Sequence, residues 1–207
     1  MKKVIIYVSL GVFSLMSGVS IANEVGSMNK NYEKAIFAGG CFWGLEKYFG
    51  EQEGVVSTRV GYTGGSVKSP GYEMVCSGAT GHAEAIEITF DPSRIHYEEL
   101  VEFFFRLHDP TTKDRQGPDS GSQYRSAIFY HSPIQKKSAE TAVKALNNAG
   151  IFRNPVVTEI APAGEFYAAE EYHQKYLKKN PHGYCSIQLK SGKISEVLRA
   201  AYAETGH

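Results

Sequence analysis

The amino-acid sequence predicts an α+β fold: a two-layer sandwich in which helices pack on a mostly antiparallel, mixed sheet with a ferredoxin-like core. Strand and helix patterns alternate along the chain, and the strand patterns are few and short, which favours this arrangement over a doubly wound parallel sheet. The 207 residues, with ordinary apolar and charged fractions, suffice for one domain with its own core.

Lys34 to Phe37 reads as a short strand broken by Ala38-Gly39-Gly40, and the segment after it places Leu45, Tyr48 and Phe49 on one helical face. Cys41 therefore stands at a strand-to-helix turn. Val55 to Tyr62 is a β-branched strand, and the Gly-rich stretch Thr63 to Gly71 is a surface loop. Ala83 to Phe90 alternates, with Ile86, Ile88 and Phe90 on one face, Glu87 and Thr89 on the other, and Glu84 sharing the parity of the apolar face. After Asp91-Pro92, Tyr97 to Leu107 carries Leu100, Phe103, Phe104 and Leu107 at helical spacing, and Asp109 to Ser122 is a long polar loop. Arg125 to Tyr130 is a further strand. Ser132-Pro133-Ile134-Gln135 opens a helix with a capping serine and a proline in its first turn, running to about Asn148 before Gly150. Pro155 to Ile160 is expected as a strand, and Glu165 to Lys179 as a helix with Ala169, Tyr172, His173 and Tyr176 on one face. In the tail, residues 191–207, Ile194, Val197, Leu198 and Ala201 recur at helical spacing.

The main domain is expected over residues 34–190. Ahead of it, Lys2 and Lys3 precede an apolar run from Val4 to about Met16 and the small-residue end Ser20-Ile21-Ala22. That run is shorter than the roughly 20 apolar residues of a bilayer span, and no cysteine follows it to take a lipid. A secretory signal over 1–22 cleaved after Ala22, a linker over 23–33, periplasmic location and no stable membrane contact afterwards are expected. Lys plus Arg (22) equal Asp plus Glu (22), without long like-charge runs, which argues against nucleic-acid and polybasic membrane surfaces. Small neutral or peptide partners fit better, and the chain is expected to act as a monomer. In an oxidising compartment structural disulfides consume cysteines in pairs, so Cys41, Cys76 and Cys185 leave at least one thiol over.

The thiolate is the reactive form of cysteine, and a helix start favours negative charge through its unpaired N–H groups and dipole. Cys41 has that placement. Gly39 and Gly40 allow a tight turn, and Phe42 with Trp43, the lone tryptophan, can form an apolar wall. An inert buried cysteine among aromatic neighbours is the alternative. A carboxylate on an apolar strand face is poorly solvated and becomes protonated near neutral pH, which would make Glu84 a general acid; a solvated carboxylate at the Gly81-His82 turn is the other reading. Cys185, after the turn-rich Asn180-Pro181-His182-Gly183-Tyr184, could be a resolving thiol for oxidised Cys41 or could form a static disulfide with Cys41 or Cys76. Ligand-type residues at zinc spacing are absent from the sequence, so neither a metal nor a bound cofactor is expected. His96, His108 and His173 are taken as surface or satisfied core residues, His82 as a neighbour of the site, and Cys76 as a structural cysteine.

Five motifs in order resemble the A-type peptide methionine sulfoxide reductases: Gly40-Cys41-Phe42-Trp43-Gly44, Gly61-Tyr62-Thr63-Gly64-Gly65, Gly81-His82-Ala83-Glu84, the run from Gly117 to Ser126, and Asn180-Pro181-His182-Gly183-Tyr184-Cys185. The resemblance spans Lys34 to Leu189. It implies reduction of methionine S-sulfoxide, free and in proteins, with Cys41 attacking sulfur and Glu84 delivering a proton to oxygen. Tyr72 and Tyr124 would hydrogen-bond that oxygen, Asp119 would support the polar side of the site, and Phe42 with Trp43 would cradle the S-methyl group. Cys185 would condense with the Cys41 sulfenic acid, and a thioredoxin-type dithiol would reopen the disulfide directly, since no cysteine follows Cys185. A thiol peroxidase or disulfide exchanger would also use a reactive cysteine, but no Cys-x-x-Cys motif is present. A disulfide-stabilised module that only binds methionine peptides would keep Cys41 and Cys185 permanently bonded.

Overall fold

The computed structural model describes residues 31–190 and 192–205 together with Met1; the expected signal sequence and most of the linker lie outside the described residues. The chain runs β1 (Glu33–Gly39), α1 (Phe42–Gly50), β2 (Val55–Thr63), α2 (Tyr72–Cys76), β3 (Ala83–Phe90) and α3 (Tyr97–Leu107). It continues through β4 (Arg115–Gln116), β5 (Asp119–Ser120), a 3₁₀ turn (Ser122–Tyr124), β6 (Ser126–Tyr130), α4 (Pro133–Asn148), β7 (Glu159–Pro162), β8 (Tyr167–Ala168), α5 (Tyr176–Lys179) and α6 (Lys193–Glu204). Six strands share one sheet in the order β7-β6-β1-β3-β2-β8, antiparallel except for the parallel β6–β7 pair. Within it, β1-α1-β2-β3-α3-β6 with strand order β6-β1-β3-β2 is the split βαβ arrangement of a ferredoxin-like core.

The expected alternation of β3 decides which residues enter the main core. Ile86, Ile88 and Phe90 pack with Phe37, Leu45, Phe49, Leu100 and Phe104. Phe37 is fully buried and stacks between Phe49 (centroids 5.4 Å) and Phe104 (4.9 Å); each such burial contributes about 1.5–3 kcal/mol. The opposite face of β3 is covered as well, through Ala83 and Ala85 against Ile36, Ala127 and Phe129. Glu87 on that face is nearly buried and accepts hydrogen bonds from Lys34 (3.0 Å) and Arg59 (2.8 Å). Helix α4 starts as its sequence dictates, with the Ser132 hydroxyl accepting from Gln135 N (3.2 Å) and Pro133 in the first turn. The tail helix α6 docks Ile194, Leu198 and Tyr202 into the main core.

Two stretches depart from the sequence pattern. The strand expected over Pro155 to Ile160 pairs only from Glu159, because Val156 N bonds the Asn147 side chain and Val157 N bonds Pro110 O, outside the sheet. The helix expected over Glu165 to Lys179 exists only from Tyr176. Tyr167 and Ala168 instead pair with β2, and the Gln174 side chain bonds both Val60 N and Val60 O. Sheet-edge hydrogen bonds thus override helical spacing there. The short helix α2 and the β4–β5 hairpin lie in stretches without a periodic signal.

Candidate active site

Cys41 is the N-cap of α1, directly after β1. The turn requires glycine before it: Gly40 has φ +91°, and a Cβ there would lie 2.6 Å from Gln116 Cγ. Gln116 is itself fixed, accepting from Asp109 N (3.0 Å) and donating to Asp109 O (3.1 Å). The first free N–H groups of α1 are divided between two acids. Phe42 N donates to Glu84 Oε2 at 3.2 Å, and Trp43 N–H reaches the Cys41 sulfur.

Glu84 has the buried placement its parity predicts, with 1 % of its surface exposed. Burial pushes its pKa up to about 8 against the opposing Phe42 N–H, and the Asp119 charge adds to the rise. At neutral pH the carboxyl is therefore largely protonated. Cys41 departs from the expectation of a depressed pKa: burial first, then the Glu84 charge, push the thiol well above its usual range, and the Trp43 N–H only partly offsets them. The helix start alone does not decide the outcome, because a second acid occupies half of it.

Phe42 is buried against Tyr62 (6.0 Å) and His173 (5.1 Å), while Trp43 stacks on Tyr176 at 3.8 Å. Tyr72, half-buried on α2, packs its ring 4.4 Å from that of His173. Tyr124 and Tyr72 both lie within electrostatic range of Glu84, and burial raises the pKa of each, so both hydroxyls keep their protons. Phe42, Trp43, Tyr72, Tyr124 and Glu84 thus border Cys41 as one constellation.

Asp119 faces the same constellation through its charge but spends its oxygens on the C-terminal arm, accepting from Tyr184 Oη (3.0 and 3.1 Å) and Ser186 Oγ (3.4 Å). Cys185 between them is exposed and close enough to Cys41 to influence its ionisation. All three cysteines are unpaired in this structure. Cys76, expected as a structural cysteine, is exposed, and its sulfur accepts a hydrogen bond from the Tyr72 hydroxyl. The i, i+4 spacing on α2 brings the two together.

His173 is the residue that sequence reasoning missed. Buried to 1 % exposure, it accepts from Trp43 Nε1 at Nδ1 (3.0 Å), while Nε2 has no hydrogen-bond partner among the described residues and stands 3.9 Å from Glu170. Burial lowers its pKa, which keeps the acceptor nitrogen unprotonated. Glu170 steadies the same wall by accepting from Tyr62 Oη (2.8 Å) and Tyr72 N (2.9 Å). His82 accepts from Gly65 N (3.1 Å) and pairs with Val67 O (2.7 Å), tying the preceding loop to β3. His108 is a satisfied core residue between Phe104 O (2.8 Å) and Ser126 Oγ (2.7 Å), and burial lowers its pKa to about 4. No group of three or more His, Cys, Asp or Glu side chains placed to hold a metal occurs among the described residues.

A thiol at a helix start, a buried protonated carboxyl beside it, an aromatic wall and a second thiol on an adjoining arm define a cysteine-based oxidoreductase. The chain belongs to the peptide methionine sulfoxide reductase family, whose model matches residues 33–205. It is 57% identical over 156 residues to the peptide methionine sulfoxide reductase MsrA of Methanothermobacter thermautotrophicus, covering 75% of this chain and 92% of that protein. Reduced Mxr1 from Saccharomyces cerevisiae superposes with a TM-score of 0.71 at 39% identity, over 77% of this chain and 93% of that one. Mxr1 in complex with Trx2 matches with a TM-score of 0.52 at 26% identity, over 77% and 91% of the two chains.

Proposed function

We propose that this enzyme reduces the S epimer of methionine sulfoxide, in proteins and as the free amino acid, through Cys41, Glu84 and Cys185. The observation that carries the reading is the carboxyl of Glu84, buried beside Cys41 and bonded to the N–H of the residue following it; that burial pushes its pKa up to about 8 and favours the neutral acid at neutral pH. Sulfoxide oxygen leaves sulfur only if it receives a proton, and Glu84 is the donor. The high thiol pKa is a property of the substrate-free site. A sulfoxide brings its positive sulfur toward Cys41 and its negative oxygen toward Glu84, Tyr72 and Tyr124, which favours the thiolate and the neutral acid together. Phe42 and Trp43, the latter held by His173, receive the S-methyl group.

In the first step the Cys41 sulfur takes the oxygen, methionine leaves reduced by two electrons, and Cys41 becomes a sulfenic acid. Cys185 then attacks that sulfur, a Cys41–Cys185 disulfide forms, and water departs. A thioredoxin-type dithiol reopens the disulfide by exchange; the yeast relative's complex with Trx2 supports this choice of reductant. Export forms part of the same reading, supported by the charged and apolar start of the sequence; the mature protein should begin at Asn23, which N-terminal sequencing checks.

The test follows separate S and R epimers of a methionine sulfoxide peptide with dithiothreitol and then with thioredoxin, for wild type, Cys41→Ser and Cys185→Ser. Wild type should consume only the S epimer and Cys41→Ser neither. Cys185→Ser should release one equivalent of methionine, retain a sulfenic acid and lose turnover with thioredoxin. Undiminished thioredoxin turnover in Cys185→Ser would sink the resolving role.

A further inference from the structure

Glycine within a helix sacrifices about 1 kcal/mol relative to alanine, so an interior glycine whose backbone does not demand it reports a spatial need. Gly44, buried in the first turn of α1, is such a position: its φ lies outside the left-handed region, in contrast to Gly40. A Cβ at Gly44 would stand 2.7 Å from Ile187 Cδ1, 2.9 Å from Ile187 Cγ1 and 3.3 Å from Cys185 Sγ. The first two distances are below any real carbon contact. Gly44 follows Cys41 by three residues, so the space it leaves lies on the same side of the helix as the thiol.

The arm that fills this space is pinned on both flanks. Asp119 accepts from Tyr184 and Ser186 on one side, and on the other Lys190 bonds Arg106 O through its N–H (2.8 Å) and His108 O through Nζ (2.6 Å). With the ends of the arm fixed, a methyl group on α1 displaces the Ile187 side chain from its seat and pushes the Cys185 sulfur, 3.3 Å away, by a few tenths of an ångström.

We propose that Gly44 is a positioning residue for the second half of the reaction: its missing side chain is the notch in which Ile187 seats, and that seat brings Cys185 to Cys41. The inference rests on the resolving role of Cys185 proposed above. The step concerned is attack of the Cys185 sulfur on the Cys41 sulfenic acid: the S–S bond forms as the S–O bond breaks, Cys185 is oxidised and the Cys41 sulfur reduced to the common disulfide level, and the hydroxyl leaves as water with the Cys185 proton.

Rapid-quench single turnovers of the reduced protein with a methionine sulfoxide peptide separate the two halves: methionine release reads the first, and disulfide formation, with dimedone capture of the sulfenic acid, reads the second. Gly44→Ala should release methionine within about twofold of wild type and form the disulfide about tenfold to a hundredfold more slowly, the penalty of a sub-ångström to ångström misplacement. Gly44→Ala/Ile187→Ala removes both offending carbons and should restore disulfide formation to the rate of Ile187→Ala alone. Melting temperatures of all three variants show that each is folded at the assay temperature. Wild-type disulfide formation in Gly44→Ala overturns the assignment, and so does a double variant as slow as Gly44→Ala. Loss of methionine release in Gly44→Ala also overturns it, by placing the residue in the first step. Failure of wild type itself to release methionine would instead remove the underlying reading.

Discussion

The two cysteines invoked in catalysis sit in opposite kinds of structure. Cys41 and Glu84 belong to the sheet and its first helix, where β1 pairs with β3 in register and main-chain hydrogen bonds fix both side chains against a buried aromatic wall. Cys185 lies on an arm without helix or strand, exposed, and held by hydrogen bonds from Tyr184 to Asp119 and from Lys190 to His108 O and Arg106 O. The contrast suits the two half-reactions proposed above. Proton delivery to a sulfoxide needs a dry, preorganised acid. Closing and reopening a disulfide needs a thiol that an external dithiol can reach.

The largest effect should come from disturbing the rigid half. Glu84→Gln keeps the shape and removes the proton, so single-turnover methionine release should fall by about 10²–10⁴-fold, with the dissociation constant of a sulfoxide peptide changed far less. The sign of the pH dependence follows from the raised pKa. The neutral carboxyl is the working form, so the wild-type chemical step should decline as pH rises through about 8. Ionisation there both removes the donor and sets a negative charge beside the thiol. The decline should be absent from Glu84→Gln. An unchanged single-turnover rate in that variant would remove Glu84 as the acid.

A smaller loss is expected from the wall behind the substrate. His173→Phe preserves ring packing and deletes the acceptor for Trp43 Nε1. One buried hydrogen bond of about 1–1.5 kcal/mol predicts a roughly tenfold fall in kcat/KM for methionine sulfoxide peptides. Disulfide formation on a preformed sulfenic acid should be unaffected. If kcat/KM holds at the wild-type value, the orientation of the indole does not matter to the reaction.

The rigid half was far more legible in the sequence than the arm, and the reason is the range of the interactions. Cys41 at a strand-to-helix turn is local information, carried by Gly40 and the spacing of Leu45 and Phe49. Glu84 inside the domain is likewise local, carried by the parity of Ile86, Ile88 and Phe90. His173 meets Trp43 across 130 positions of sequence, and no periodicity encodes that. Its segment even misleads: the spacing of Ala169, Tyr172 and Tyr176 suggests a helix, whereas the edge of β2 claims Tyr167 and Ala168. The thiol pKa is hidden from the sequence for a related reason. A helix start is visible in sequence, but its sharing with Glu84 depends on a residue 42 positions away.

The smallest effect should come from loosening the arm without touching its seat. Tyr184 is exposed and donates to both oxygens of Asp119. Tyr184→Phe keeps the ring and deletes that donor, leaving Asp119 the weaker Ser186 contact. A solvent-exposed hydrogen bond to a charged group contributes on the order of 0.5–1.5 kcal/mol, so disulfide formation should slow by about twofold to tenfold, less than for Gly44→Ala. Since Asp119 faces Cys41 and Glu84 only through its charge, and that charge is retained, the pH at which methionine release declines should not move. A slowing confined to the disulfide step would show that the arm is held by an exchangeable clasp. A slowing of methionine release with no change in resolution would mean that Tyr184 serves the substrate, and the division between a rigid half and an arm would have to be redrawn.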